Sequence, residues 1–161
     1  MQNRKIALYG VLVALAMIFS YIETMLPSIG IPGVKLGLAN LSVIAALYLM
    51  SLKDAFFISL IRILLTAVTF GNVFSMWYSL AGGMLSLVVM YLIKKKGWLD
   101  SMGVSIAGGI THNLGQLLVA GIVLESAAVA SYLPVLILSG TITGALIGML
   151  GGMIIRRLPR I

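Results

Sequence analysis

The chain has 161 residues, 61% of them hydrophobic and only 9% charged, with a mean hydropathy of +1.15. A water-soluble domain carries about 25% charged residues, so the solvent for most of this chain is lipid. Cysteine is absent, which excludes disulfides and thiolate metal sites. One histidine and four acids argue against a multi-ligand metal centre, and no cofactor is expected.

At ~20 residues per crossing, about six helices use up nearly the whole length. The expected architecture is an all-α integral membrane protein, a six-transmembrane-helix bundle forming a single domain over residues 1–161. No room is left for a soluble catalytic domain, so any ATPase or large catalytic activity belongs to a partner.

The first helix is expected from about Ile6 to Leu26. Arg4-Lys5 before an apolar run, with Ala14 and Ala16 further on, resembles a signal peptide. The run continues to Ile22 and more spans follow, so an uncleaved first span is the better reading. "LPSIGIPGVKLGLAN", with Pro27, Pro32 and several glycines, reads as a loop or broken segment. Helix two is expected from about Leu38 to Leu52, with a tight turn at Lys53-Asp54. Helix three follows from about Ala55 to Phe70; both are short for a core of ~30 Å. Helix four runs from about Val73 to Ile93 and ends in Lys94-Lys95-Lys96-Gly97. Helix five covers about Met102 to Leu124, and helix six about Tyr132 to Ile155, followed by Arg156, Arg157 and Arg160.

Charge sets the orientation. With the N-terminus inside, the inner side carries Arg4, Lys5, Lys53, Lys94, Lys95, Lys96, Arg156, Arg157 and Arg160, and the outer loops carry only Lys35. Lysine and arginine favour cytoplasmic loops, so both termini are expected in the cytoplasm. The net charge of +7 is accounted for by this bias, and no nucleic-acid partner is expected.

Depth then sorts the polar residues. Helix three rises outward from Asp54, so Arg62 lies near the midplane. His112 and Asn113 fall at a similar depth on helix five, with Gln116 one turn further out. Glu23 and Asn40 lie near the outer ends of helices one and two. Ser59, Arg62, Thr66 and Thr69 are spaced as one helical stripe. An arginine at the bilayer centre costs at least ~2.5 kcal/mol and faces a partner or a wet cavity. Two readings stand side by side for Arg62: an ion pair with Glu23, or contact with an anionic or carbonyl-bearing ligand. Likewise, His112, Asn113 and Gln116 are either interhelical hydrogen bonds at ~0.6 kcal/mol each or part of a site. Three such residues within "THNLGQ", level with Arg62, tip the balance towards a pocket open to the outside. The candidate substrate-binding residues are Arg62, His112, Asn113, Gln116, Thr66, Glu23 and Asn40. None is expected to be catalytic: a lone histidine without a nearby acid or nucleophile motif makes poor acid–base machinery.

Small residues form a second pattern. Gly140, Gly144, Gly148 and Gly152 repeat every four residues on helix six, and Gly10 and Ala14 do so on helix one. Such ridges let helices pack backbone to backbone. Packing within the chain is expected for helix six, and docking of a partner subunit competes with it for helix one.

The stretches "ALYGVLVALAMIFSYIE", "LPSIGIPGVKLGLANLSVIAALYL" and "SLKDAF" resemble the substrate-binding S-components of energy-coupling factor transporters. More closely, they are similar to the membrane family called heptaprenyl diphosphate synthase component I, or Gx transporter. The resemblance is clearest over Ile6 to Phe74 and Gly103 to Gly121. The S-component likeness implies a bundle in a bacterial cytoplasmic membrane that binds a small vitamin-like molecule. Its implied partners are a transmembrane coupling subunit and ATPase subunits, alongside membrane lipid. In that family an A-x-x-x-A surface on helix one meets the coupling subunit. Gly10 and Ala14 match it, with glycine in place of the first alanine.

The synthase label implies a different role. Chain-elongating prenyl synthases hold magnesium on aspartate-rich motifs. Here only Asp54 and Asp100 are available, far apart in sequence. The chain is therefore no such catalyst by itself. The uptake subunit is the leading expectation. The alternative is a non-catalytic membrane accessory to a soluble prenyl diphosphate synthase subunit in isoprenoid or menaquinone synthesis. A closed pocket fits the first role, and an open, lipid-facing slot fits the second.

Overall fold

The computed structural model describes residues 2–26 and 35–158. Part of the expected loop after helix one, and Arg160, lie outside them. The described chain is all-helical: α1 (Gln2–Met25), α2 (Asn40–Leu49), α3 (Leu52–Thr69), α4 (Val73–Lys96), α5 (Ser101–Val123), a 3-10 segment (Ala127–Tyr132) and α6 (Leu133–Arg157). α1, α4, α5 and the segment from Ala127 to Arg157 are long and apolar enough to cross a membrane.

Local chemistry explains where the boundaries differ from expectation. The turn between α2 and α3 falls at Met50-Ser51, not at Lys53-Asp54. Ser51 is the N-cap: its hydroxyl accepts from the Asp54 amide (3.3 Å), and the Asp54 carboxylate accepts from the Ser51 amide (3.1 Å). This reciprocal box satisfies two donors that a helix start would otherwise orphan. Lys53 and Asp54 thereby belong to the first turn of α3. At its other end α2 starts at Asn40 rather than Leu38, because Gly37 has φ +86°, a left-handed conformation that interrupts a helix. Asn72 and Ser75 form a second capping box that starts α4, and Gly97 at φ +66° closes it.

α2 is the centre of the bundle. Ten residues rise about 15 Å, half of a ~30 Å core, and nine of the ten are buried. A helix apolar all round belongs inside a protein. α2 packs against α1, α3 and α6, with lesser contacts to α4 and α5. The Lys94 ammonium donates to the Leu47 carbonyl near its C-terminal end. α1 is held at the same end of the bundle by Asp54, which accepts from the Tyr9 hydroxyl (2.5 Å) and pairs with Lys5 (2.9 Å). Otherwise α1 buries only the stripe Leu12, Ala16, Ser20 and Glu23.

α5 lies between α4 and α6, and glycine sets both distances. A Cβ on Gly109 would collide with the Gly140 carbonyl oxygen. One on Gly144 would fall 2.7 Å from Ile106 Cα, and one on Gly148 2.7 Å from Met102 Cα. The helix-six glycine ridge is thus used within the chain, against α5. On the other side, a Cβ on Gly115 would fall 2.7 Å from the Ala81 carbonyl oxygen of α4. Gly10 on α1 is different: a Cβ there would meet nothing within 4 Å, and both Gly10 and Ala14 are exposed.

Gly109→Ala should therefore force α5 and α6 apart and destabilise the bundle by about 1–3 kcal/mol, the usual range for overpacking. Gly10→Ala should leave the thermal midpoint in detergent unchanged or slightly raised. Equal midpoints for the two variants would refute the contact.

Candidate functional site

The candidate residues come from four helices, and Glu23, Asn40, His112 and Gln116 meet at the segment that enters α2. Glu23, Asn40, Arg62, Thr66, His112, Asn113 and Gln116 are all at most 7% exposed. Backbone groups of residues 35–38 are held by side chains from three helices. Glu23 Oε1 on α1 accepts from the Leu38 amide (2.7 Å), and Gln116 Oε1 on α5 accepts from the Lys35 amide (3.1 Å). The Thr143 hydroxyl on α6 donates to the Leu36 carbonyl (3.3 Å). Gly37 lies against the His112 ring, where a Cβ would come within 3.0 Å of Cδ2 and 3.2 Å of Asn40 Nδ2.

These bonds fix the chemistry of the histidine. Gln116 Oε1 is the acceptor for Lys35, so the amide nitrogen faces His112 Nε2 at 2.8 Å. An amide NH₂ only donates, so His112 Nε2 accepts and the ring proton sits on Nδ1. Nδ1 faces Gly82 of α4, whose Cβ would come within 3.0 Å of it.

Arg62 and Glu23 do not form an ion pair; the Lys5–Asp54 bridge is the one salt bridge among the described residues. Glu23, Lys35 and Arg62 nevertheless interact through their charges, and His112 lies within range of Arg62. Burial pushes the Lys35 ammonium below the ordinary lysine range, and the Glu23 carboxylate pulls it back up. Lys35 is half-buried, not the solvated charge that its position in a loop suggests.

Several buried polar atoms have no hydrogen-bond partner: Arg62 Nε and Nη2, both amide atoms of Asn40, His112 Nδ1, Asn113 Oδ1 and the Ser59 hydroxyl. Each orphaned group costs about 1–3 kcal/mol, more for a charge.

The seven residues do not all join this cluster. The Asn113 amide nitrogen donates to the Leu136 carbonyl (2.8 Å) and the Ser139 hydroxyl (3.1 Å), tying α5 to α6. The Thr66 hydroxyl faces Met17 Sδ of α1 at 3.6 Å. Thr69 is exposed and bonds back to the Leu65 carbonyl (2.8 Å), so the polar stripe of α3 ends at Thr66. Tyr78 is core and Trp77 is exposed.

Sequence reasoning did not find a second feature. An apolar slot of about 640 Å³ lies between α3 and α4, lined by Leu52, Lys53, Phe56, Phe57, Met84, Leu87, Val88 and Tyr91. Phe56, Phe57 and Val88 in its lining are exposed, so the slot opens on the outer face of the bundle. Lys53 stands at one end, where α4 runs out into Lys95 beside the Tyr91 ring and Lys96 over the Trp98 ring. Its sequence signal is the adjacent pair Phe56-Phe57 shortly after a lysine.

The family model for heptaprenyl diphosphate synthase component I matches residues 12–154, and the chain belongs to that family. No curated protein and no solved structure matches the chain. The family is the closer of the two resemblances carried by the sequence, and it backs the accessory role rather than the uptake role.

Gln116→Leu removes both the acceptor for the Lys35 amide and the partner of His112. It should lower stability by about 1–3 kcal/mol and speed deuterium exchange in residues 35–38, with little change in α3. Unchanged exchange there would show that Gln116 does not hold the segment.

Proposed function

We propose that the chain is a membrane-embedded, non-catalytic subunit that works with a soluble prenyl diphosphate synthase subunit at the cytoplasmic face of a bacterial membrane. The observation that carries this reading is the family match over residues 12–154. The slot between α3 and α4 supports it: an apolar channel with Lys53 at its end suits a polyprenyl tail with a diphosphate head. The basic residues Arg4, Lys5, Lys53, Lys95, Lys96, Arg156 and Arg157 support six passages with both termini inside, α2 supplying a half-length helix for one of them.

The aspartates support a non-catalytic role. Asp54 is engaged by Lys5, Tyr9 and Ser51, and Asp100 caps α5 by accepting from the Gly103 amide (2.8 Å). Neither is placed to share a metal-bound diphosphate with the other. In this reading the partner makes the carbon–carbon bonds. The membrane subunit receives the growing or finished chain, whose tail leaves water for the slot while the lysines hold the head at the surface.

One observation favours uptake of a small molecule as a second reading: the unpartnered polar atoms around Arg62 and Asn40. In that reading the exposed Gly10 and Ala14 face of α1 meets a transmembrane coupling subunit.

Purification of the tagged chain from its native membrane should bring down a soluble prenyl synthase subunit. Adding the chain in nanodiscs should raise long-chain product formation by that subunit. Charge reversal at Lys53, Lys95 and Lys96 together should weaken the effect at least tenfold, since each lysine near a surface contributes roughly 1 kcal/mol towards an anionic partner. Co-purification of a coupling subunit with ATPases, and no effect on the synthase, would overturn this reading in favour of uptake.

A further inference from the structure

The interior of the bundle holds a guanidinium with one edge unpartnered. Arg62 is 3% exposed, and its Nε and Nη2 make no hydrogen bond. These two nitrogens share one edge of the guanidinium. Their N–H groups point the same way, in the fork that a carboxylate or phosphate accepts with two oxygens. Glu23 does not fill that edge: its Oε1 is held by the Leu38 amide, and no ion pair to Arg62 forms.

Glu23 and Lys35 interact with Arg62 through their charges, but neither forms an ion pair with it. Buried water can satisfy the amide of Asn40 and the serine hydroxyls, but a guanidinium inside an apolar bundle is paired or faces a hydrated path. Gly83 of α4 packs beside the guanidinium, where a Cβ would come to 3.7 Å from Nη2 and 3.4 Å from Ser59 Oγ.

We propose that the Nε–Nη2 edge of Arg62 is a binding site for one small oxyanion, the carboxylate or phosphate group of a compact ligand. On α2 the Asn40 amide, packed against Gly37 and His112, also lacks a partner. This site involves neither the slot nor the synthase partner, so it stands or falls by itself.

The test uses the isolated chain in maltoside micelles, which carry no phosphate or carboxylate. Sodium phosphate and sodium acetate are titrated against sodium chloride at matched ionic strength. The thermal midpoint and the Arg62 Nε–H resonance of arginine-labelled protein are followed. The expected result is a saturable rise in midpoint with phosphate, acetate or both, accompanied by a shift of the Arg62 resonance. Arg62→Lys should weaken binding at least tenfold, because an ammonium is a point charge without the two-pronged edge. Gly83→Ala, whose methyl meets only ordinary contacts, should fold with an unchanged midpoint in chloride and also bind more weakly. The proposal is overturned if neither anion acts beyond chloride, or if the Gly83→Ala and Arg62→Lys titrations superimpose on wild type. Because no synthase is present, failure here leaves the partner reading intact, and loss of the synthase effect leaves this site intact.

Discussion

The close approach of α5 to both its neighbours is the constraint on which the rest depends. Between helices in lipid there is no hydrophobic driving force, so contact rests on packing and hydrogen bonds. Gly109 meets Gly140 and Gly115 meets Ala81 at distances that no side chain allows. These contacts fix the rotation of α5 as well as its position. The face between the two glycine lines carries His112 and Gln116, which point at the segment entering α2. Gly82 serves both purposes: its missing side chain lets α4 approach α5, and it leaves room for the His112 ring and carbonyl.

α2 shows how a polar interior follows from a short helix. A half-length helix needs an irregular approach of several residues, and irregular backbone at membrane depth survives only where protein satisfies it. Glu23, Gln116 and Thr143 do this for residues 35–38. Part of the polar cluster is therefore structural. The Nε–Nη2 edge of Arg62 and the Asn40 amide, by contrast, satisfy no backbone group and make no hydrogen bond. The division separates atoms within the same cluster, and it is the unpartnered set that carries the case for a ligand.

Much of this was legible from residue spacing. Periodicity and charge gave the helices to within a few residues, and depth reckoning brought Arg62, His112, Gln116, Glu23 and Asn40 to one region. The helix-six glycines read correctly as an internal ridge. What escaped was decided by backbone geometry. Ser51 and Asp54 could be read as the end of one helix or the cap of the next, and only the reciprocal hydrogen bonds settle the matter. Asn113 shares a helical face with Gln116 on a wheel, yet it reaches α6 because that helix lies so close. The slot escaped because it joins two helices through side chains that each look like ordinary lipid-facing residues, and the Phe56-Phe57 pair marks only one of its walls.

The two halves of the bundle thus differ in what they can hold. At the end where Lys53 and Lys95 stand, the slot offers apolar walls and surface cations, which suit an amphiphile whose head stays in water. Around Arg62 the walls are polar, the cation is enclosed and water is largely excluded, so an anion bound there must shed its hydration entirely. Attraction in a low-dielectric interior is strong, and so is the cost of stripping the ion. A two-pronged guanidinium edge offsets that cost better than any single charge. A long-chain diphosphate is matched to the slot and mismatched to the Arg62 site, where its tail has no apolar path. A compact acid is matched to Arg62 and gains nothing from the slot. The two proposed sites share no residue, so each can be removed without disturbing the other.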